Sequence, residues 1–233
     1  MAVSPHLLAQ LPAATPKLLL RGVVNEAVAN SNQLAAPARK NWVVFSGTHE
    51  WSQGLEQMVQ AWQKLGLRDW ELHIAGRGPL TPRLLELADG NRRVVFHGFL
   101  NREENARLLC AAKIGMNPQD PTLIPGTSFA FKIIEYLAAG LHVITTPRGL
   151  LEPELETGIT YINQNDAGTI AASLKKVIEE RKYQDTASEA ALRIYGPDAM
   201  RRALNEFVEK VASQNRPRTS RVGAGSQAAI QNP

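Results

Sequence analysis

Apolar and polar positions along this chain switch repeatedly between two periods. Short, nearly continuous apolar runs read as strands: "WVVFSG", "WELHIAG", "RRVVFHGFL", "KIGMNP" and "LHVITTP". Between them lie stretches whose apolar residues recur every three or four positions, the spacing that lines one face of a helix. These are "QGLEQMVQAWQKLG", "LTPRLLELADG", "REENARLLCAA" and "FAFKIIEYLAAG". "DAGTIAASLKKVIEERK" and "PDAMRRALNEFVEKVASQ" follow as further helices, with Asp166 and Asp198 expected as N-caps. Strands that are apolar on both faces and alternate with helices require right-handed crossovers and a parallel sheet covered on both sides. The expected fold class is therefore α/β, a Rossmann-like doubly wound parallel sheet in a single domain.

The two ends of the chain read differently. Residues 1–40 hold one short apolar stretch, "KLLLRGVV", between Pro/Ala-rich and Asn/Ser/Gln-rich pieces, and are expected to form a connector with one short strand. Residues 41–213 are the expected domain. Residues 214–233, rich in Gly, Ser, Gln and Arg, have almost nothing to bury and are expected to be a disordered tail.

Composition narrows the function classes. Of 233 residues, 44% are apolar, enough for a sizeable core. The net charge of +4 invites a nucleic-acid reading, but its placement argues against one. Residues 1–41 carry four basic side chains and one acid, and residues 214–233 carry three arginines and no acid, which leaves −2 for residues 42–213. Only the arginines at 216–221 favour nucleic acid. The single cysteine, Cys110, excludes an internal disulfide and reads as a small core residue. No apolar run is long enough to span a bilayer, and the N-terminus lacks the pattern of a secretory signal, so the expected compartment is the cytoplasm, with peripheral contact at a membrane surface left open.

In a sheet of this kind ligands bind beyond the carboxyl ends of the strands. In "FSGTHEWSQG", Gly47 ends a strand and Gly54 opens a helix, so backbone N–H groups and a positive helix end can face an anion such as a pyrophosphate. The loop matches neither phosphate-binding nor dinucleotide-binding fingerprints, and an ordinary strand-to-helix turn explains it equally. "AGRGPL" has Thr81 where a dinucleotide fingerprint needs its third glycine; it reads as a tight turn, or as a place for Arg77 at a pocket rim. None of the five histidines has a partner at metal-ligand spacing, and His49, in the first loop, is the one nearest a prospective ligand.

The helix "SFAFKIIEYLAAG" places Ser128, Lys132, Glu135 and Ala139 on one stripe. Lys three residues before Glu is a weak pairing, so helix stability is a poor reason for the two charges. The stripe is either solvated surface or a site in which Lys132 meets a phosphate and Glu135 accepts hydrogen bonds from neighbouring sugar hydroxyls.

Taken in order, "GTHEWSQGLE…AW", "WELHIAGRGP", "VVFHGFLNREE…LL", "NPQ", "FKIIEYLAAGLHVITT" and "G…E…TG" resemble the nucleotide-sugar-binding half of a family 4 glycosyltransferase of the two-domain GT-B architecture, over about residues 16–213. The resemblance implies transfer of a sugar from a nucleotide-diphosphate donor to an acceptor hydroxyl, with retention and without an essential metal or other cofactor, in polysaccharide or glycolipid synthesis. Carried across, the loop at Gly47 and Thr48 corresponds to the diphosphate-facing glycine loop, Arg77, Phe99 and Leu100 border the base, and Glu135 matches the glutamate that holds the ribose. Thr127, just before Ser128, stands where the family usually has the first of two glutamates; Thr48 and Gln53 stand where it often has Arg and Lys. In a branch with similar replacements, Lys132 would supply the cation. The opening "PKLLLRGVVN" resembles the linker into the second domain. The resemblance thus implies a truncated or split enzyme that works with a separate acceptor-binding domain or subunit, or else a noncatalytic nucleotide-sugar-binding or scaffold module.

Overall fold

The computed structural model describes residues 8–20, 22–33, 39–123, 131–147, 151–184 and 186–214. The described residues hold six strands, of which the first five are the apolar runs: β1 (Trp42–Ser46), β2 (Glu71–Ala75), β3 (Val94–Gly98), β4 (Ile114–Asn117), β5 (His142–Thr145) and β6 (Ile159–Tyr161). They pair in the order β3-β2-β1-β4-β5-β6, every pair parallel. The helices in chain order are α1 (Glu26–Gln33), α2 (Leu55–Leu65), α3 (Thr81–Ala88), α4 (Arg102–Ala111), α5 (Phe131–Ala138), α6 (Ala167–Glu179), α7 (Ser188–Tyr195) and α8 (Pro197–Gln214).

Strand side chains alternate between two cores. Val43, Phe45, Leu72 and Ile74 pack with α2, α3 and α6 through Met58, Trp62, Leu84, Ile170 and Leu174. Val44, Ala75 and Val143 pack on the other face with α1, α4, α5 and α7 through Val28, Leu108, Leu109, Ile133, Ile134, Leu137 and Ala191. Each large apolar side chain so buried contributes roughly 1.5–3 kcal/mol. Cys110 belongs to the second core. The domain is thus the doubly wound α/β fold expected of the sequence.

The chain runs outward from β1 to β3 on one side and from β4 to β6 on the other, so β1 and β4 flank the point where the direction of winding reverses. There the connecting loops part and leave a crevice. On that border Gly115 of β4 has no side chain; a Cβ on it would lie 2.5 Å from the Tyr136 ring. Its absence lets Tyr136 pack flat on the sheet, where its hydroxyl accepts from the Ser46 N–H at 2.7 Å. Helix α5 is thereby docked against the end of β1.

Several elements depart from the sequence expectations. Among the described residues of the stretch 17–24, only Leu19 is in a bridge, and it is isolated. Helix α1 follows it, started by the Asn25 side chain accepting from Ala27 N–H, and the connector joins the domain where Val24 N–H donates to Tyr195 O. Asp166 caps α6, accepting from Gly168 N–H and Thr169 N–H. Asp198 does not cap α8: that helix opens one residue earlier, at Pro197, and Asp198 pairs with Arg201 inside the first turn. Strand β6, of three residues, is too short to carry a periodic signal, and helix α7, of eight, is not among the expected elements. Residues 215–233 lie outside the described residues. No helix among the described residues is long and apolar enough to cross a membrane.

Candidate functional site

Two glycine loops form the floor of the crevice. Gly76 has φ +119, and a Cβ there would sit 1.8 Å from the Gly47 carbonyl oxygen; a Cβ on Gly78 would meet the His49 backbone at 2.6 Å. Both glycines therefore let the β1 and β2 loops touch backbone to backbone. Gly47 N–H donates to Ala75 O, His49 N–H to Arg77 O, and Leu80 N–H to His49 O, each at 3.1 Å. His49 is buried and fixes the same junction through Nδ1, 2.8 Å from Thr81 Oγ1. Burial, first, and the nearby Lys132 charge lower its pKa, while the Ala75 backbone opposes them. His49 is thus a staple between loops rather than a ligand residue.

Helix α5 brings the two charges of the sequence stripe to this floor. Lys132 Nζ donates to Gln53 Oε1 at 2.8 Å and lies 4.1 Å from the centre of the Phe45 ring. It sits directly behind Gly47, where a Cβ would come within 2.8 Å of Nζ. Burial pushes the Lys132 pKa down to about 7, with the Glu135 charge opposing. Glu135, one turn on, is half-buried and lines the crevice. Its pKa is raised by burial and held back by Lys132. Among the described residues, no hydrogen bond or ion pair engages its carboxylate. The stripe is therefore no solvated face: Ala139, at its C-terminal end, is fully buried as well.

Helix α4 and the β3 loop form the opposite wall. Asn101 and Glu104 close a reciprocal capping box at 2.9 Å in both directions. Asn105, one turn in, accepts the Ser46 hydroxyl proton on Oδ1 at 2.7 Å. At the rim the Arg77 guanidinium lies 5.4 Å from the Phe99 ring, which is 71% exposed.

Together these parts enclose a crevice of 760 Å³, lined by Asn25, Ser46, Gly47, Thr48, Ala75, Gly76, Arg77, Phe99, Leu100, Asn101, Arg102, Asn105 and Glu135. That volume lies within the range of small-molecule sites. Its chemistry is divided: backbone at the floor with the Lys132 ammonium behind it, on one wall a carboxylate without a partner among the described residues, and carboxamides and an aromatic ring on the other.

The family model for group 1 glycosyl transferases matches residues 40–180. The chain belongs to this family. No curated protein matches the glycosyltransferase chain in sequence. Its fold is similar to that of a glycosyltransferase from Rickettsia africae, with TM-score 0.64 and 16% identity over 83% of this chain and 57% of that one. It is also similar to sucrose-phosphate synthase from Thermosynechococcus elongatus, with TM-score 0.59 and 18% identity over 83% and 50%. A third similar structure, Anabaena HepE in complex with UDP and glucose, gives TM-score 0.60 and 16% identity over 82% and 53%. The glycosyltransferase chain spans between half and three fifths of the length of these structures.

Of the residues expected from the sequence of this glycosyltransferase, Gly47, Thr48, Arg77, Phe99, Leu100 and Glu135 line the one crevice. Gln53 and Lys132 lie behind it, bonded to each other. Gly54 does not line it; its φ of +69 and the 1.9 Å that would separate a Cβ from Pro118 O account for the glycine. Thr127 and Ser128 lie outside the described residues. Of the lining residues, sequence reasoning missed Asn25, Ser46, Ala75, Asn101, Arg102 and Asn105, and read Gly76 only as a turn. The "NREEN" run does carry a capping-box signal that locates the start of α4, and Asn105 follows one turn after the cap.

Proposed function

We propose that the chain binds a nucleotide-diphosphate sugar and serves in transfer of that sugar to an acceptor hydroxyl, in polysaccharide or glycolipid synthesis. The observation that carries the reading is the pair on α5: a carboxylate in the crevice with no partner among the described residues, and one turn earlier an ammonium behind a glycine loop. The ribose hydroxyls donate to Glu135. The diphosphate lies over Gly47 and Thr48, where it meets the Thr48 N–H and the charge of Lys132. The base rests between Arg77, Phe99 and Leu100.

In the proposed transfer the acceptor oxygen forms its bond to the anomeric carbon as the bond from that carbon to the diphosphate oxygen breaks. The leaving diphosphate takes the acceptor proton, and the configuration is retained. Lys132 and the Thr48 amide stabilise the charge that gathers on the leaving group. Charge stabilisation of this kind needs water excluded from the crevice. The acceptor-binding half, as further chain or as a separate subunit, would supply that closure, and the site would work on the cytoplasmic side.

Titration calorimetry with UDP, GDP and their sugars tests the reading. Binding is expected, and Glu135→Ala weakens it by about 1–3 kcal/mol by leaving the hydroxyls without a charged acceptor. Absence of binding by every nucleotide diphosphate at millimolar concentration would refute it.

A further inference from the structure

We propose that Asn105 is a second ribose-reading residue, donating an amide N–H to a hydroxyl oxygen of the same sugar ring whose protons Glu135 accepts. This rests on the nucleotide-sugar reading and adds to it a residue on the opposite wall. A ribose hydroxyl both donates and accepts, so a carboxylate satisfies only half of its capacity. A neutral amide donor on the facing wall satisfies the other half without competing with Glu135 for charge.

The structure sets up this donor through a chain of bonds across three elements. Tyr136, the residue after Glu135, holds the Ser46 backbone through its hydroxyl at 2.7 Å. The Ser46 side chain spends its single proton on Asn105 Oδ1, also at 2.7 Å. With Oδ1 engaged, the Asn105 amide cannot turn freely, and both Nδ2 hydrogens remain without a partner among the described residues. Glu135, Ser46 and Asn105 all line the same crevice. The carboxylate from α5 and the amide from α4 are thus referenced to one serine at the end of β1. Asn105 owes its place to the capping box at Asn101 and Glu104, which fixes the first turn of α4.

The experiment compares UDP and GDP with their 2′,3′-dideoxy analogues, by calorimetry, on the parent chain, Asn105→Ala and Ser46→Ala. The expected result is that Asn105→Ala loses about tenfold in affinity for the ribonucleotide, while parent and variant bind the dideoxy analogue equally. Ser46→Ala, which frees the amide to rotate, gives a smaller loss with the same dependence on the hydroxyls. Equal losses for both nucleotides would make Asn105 a structural residue and overturn the proposal, as would no loss for either. Failure of the parent to bind any of the four nucleotides would instead overturn the nucleotide-sugar reading, and the proposal with it.

Discussion

Replacing Lys132 by Met is expected to make the folded chain more stable at neutral pH while weakening its hold on a diphosphate. Burial lowers the lysine pKa from 10.5 to about 7, so below that value the fold carries a charge that the unfolded chain hydrates freely. Each pH unit between the two values is worth about 1.4 kcal/mol, an upper limit of the order of 5 kcal/mol for the charged form. Relaxation around Nζ and the loss of its bond to Gln53 Oε1 reduce the net gain for Met to about 2–3 kcal/mol. The sign follows from proton counts. Between about pH 7 and 10.5 the unfolded chain binds the proton and the folded chain does not, so the parent gains stability as pH rises and the advantage of Met shrinks. Urea unfolding of both chains at pH 6, 7, 8.5 and 9.5 reads this directly. A parent more stable than the variant at pH 6, or a difference that does not change with pH, would refute the argument.

Further outcomes follow from the same contacts. Gly76→Ala would drive a methyl group into the Gly47 carbonyl and strain a left-handed φ, costing at least about 2 kcal/mol, measured as a drop in the urea midpoint together with loss of nucleotide affinity. Arg39 donates to Ala112 O at 3.0 Å and Ala139 O at 2.7 Å, closing the ends of α4 and α5; Arg39→Ala should cost about 2–3 kcal/mol by leaving both carbonyls unpaired, again by urea unfolding. His73 Nδ1 lies 2.8 Å from His97 Nε2, and burial is the main cause that lowers the pKa of both. Each therefore binds its proton less readily folded than unfolded, so stability should fall as pH drops below about 6.5. Unfolding midpoints that stay level from pH 7.5 to 5.5 would contradict this.

The fold was legible because every strand of β1 to β5 is an apolar run long enough to stand out between helical periods. What the periods do not encode is which distant residues meet. The pairing of His73 with His97 bridges β2 and β3 at the shift in their register, which skips His97, and it has no signature in sequence spacing. The histidine in the first loop is the one that sequence places nearest a prospective ligand, because that loop faces the expected anion site, yet its side chain and backbone bond to the second glycine loop. The charges at 132 and 135 are visible in sequence, but only packing distinguishes a solvated stripe from a site: the phenyl ring of Phe45 and the missing side chain of Gly47 turn Lys132 inward. Asn25 and Asn105 sit in segments that are ordinary in composition, and only the tertiary packing of α1 and α4 brings them to the crevice.

The missing side chain at position 115 has a consequence for anyone altering this protein. Gly115 touches no part of the crevice, yet the space it leaves sets how deeply Tyr136 seats, and with it the rotation of the helix bearing Lys132 and Glu135. A substitution there would shift both charges at once while leaving the identity of every crevice residue unchanged. Libraries aimed at a new donor should therefore hold position 115 constant and vary the walls, since a loss of function seeded at 115 would be misread as a change of specificity.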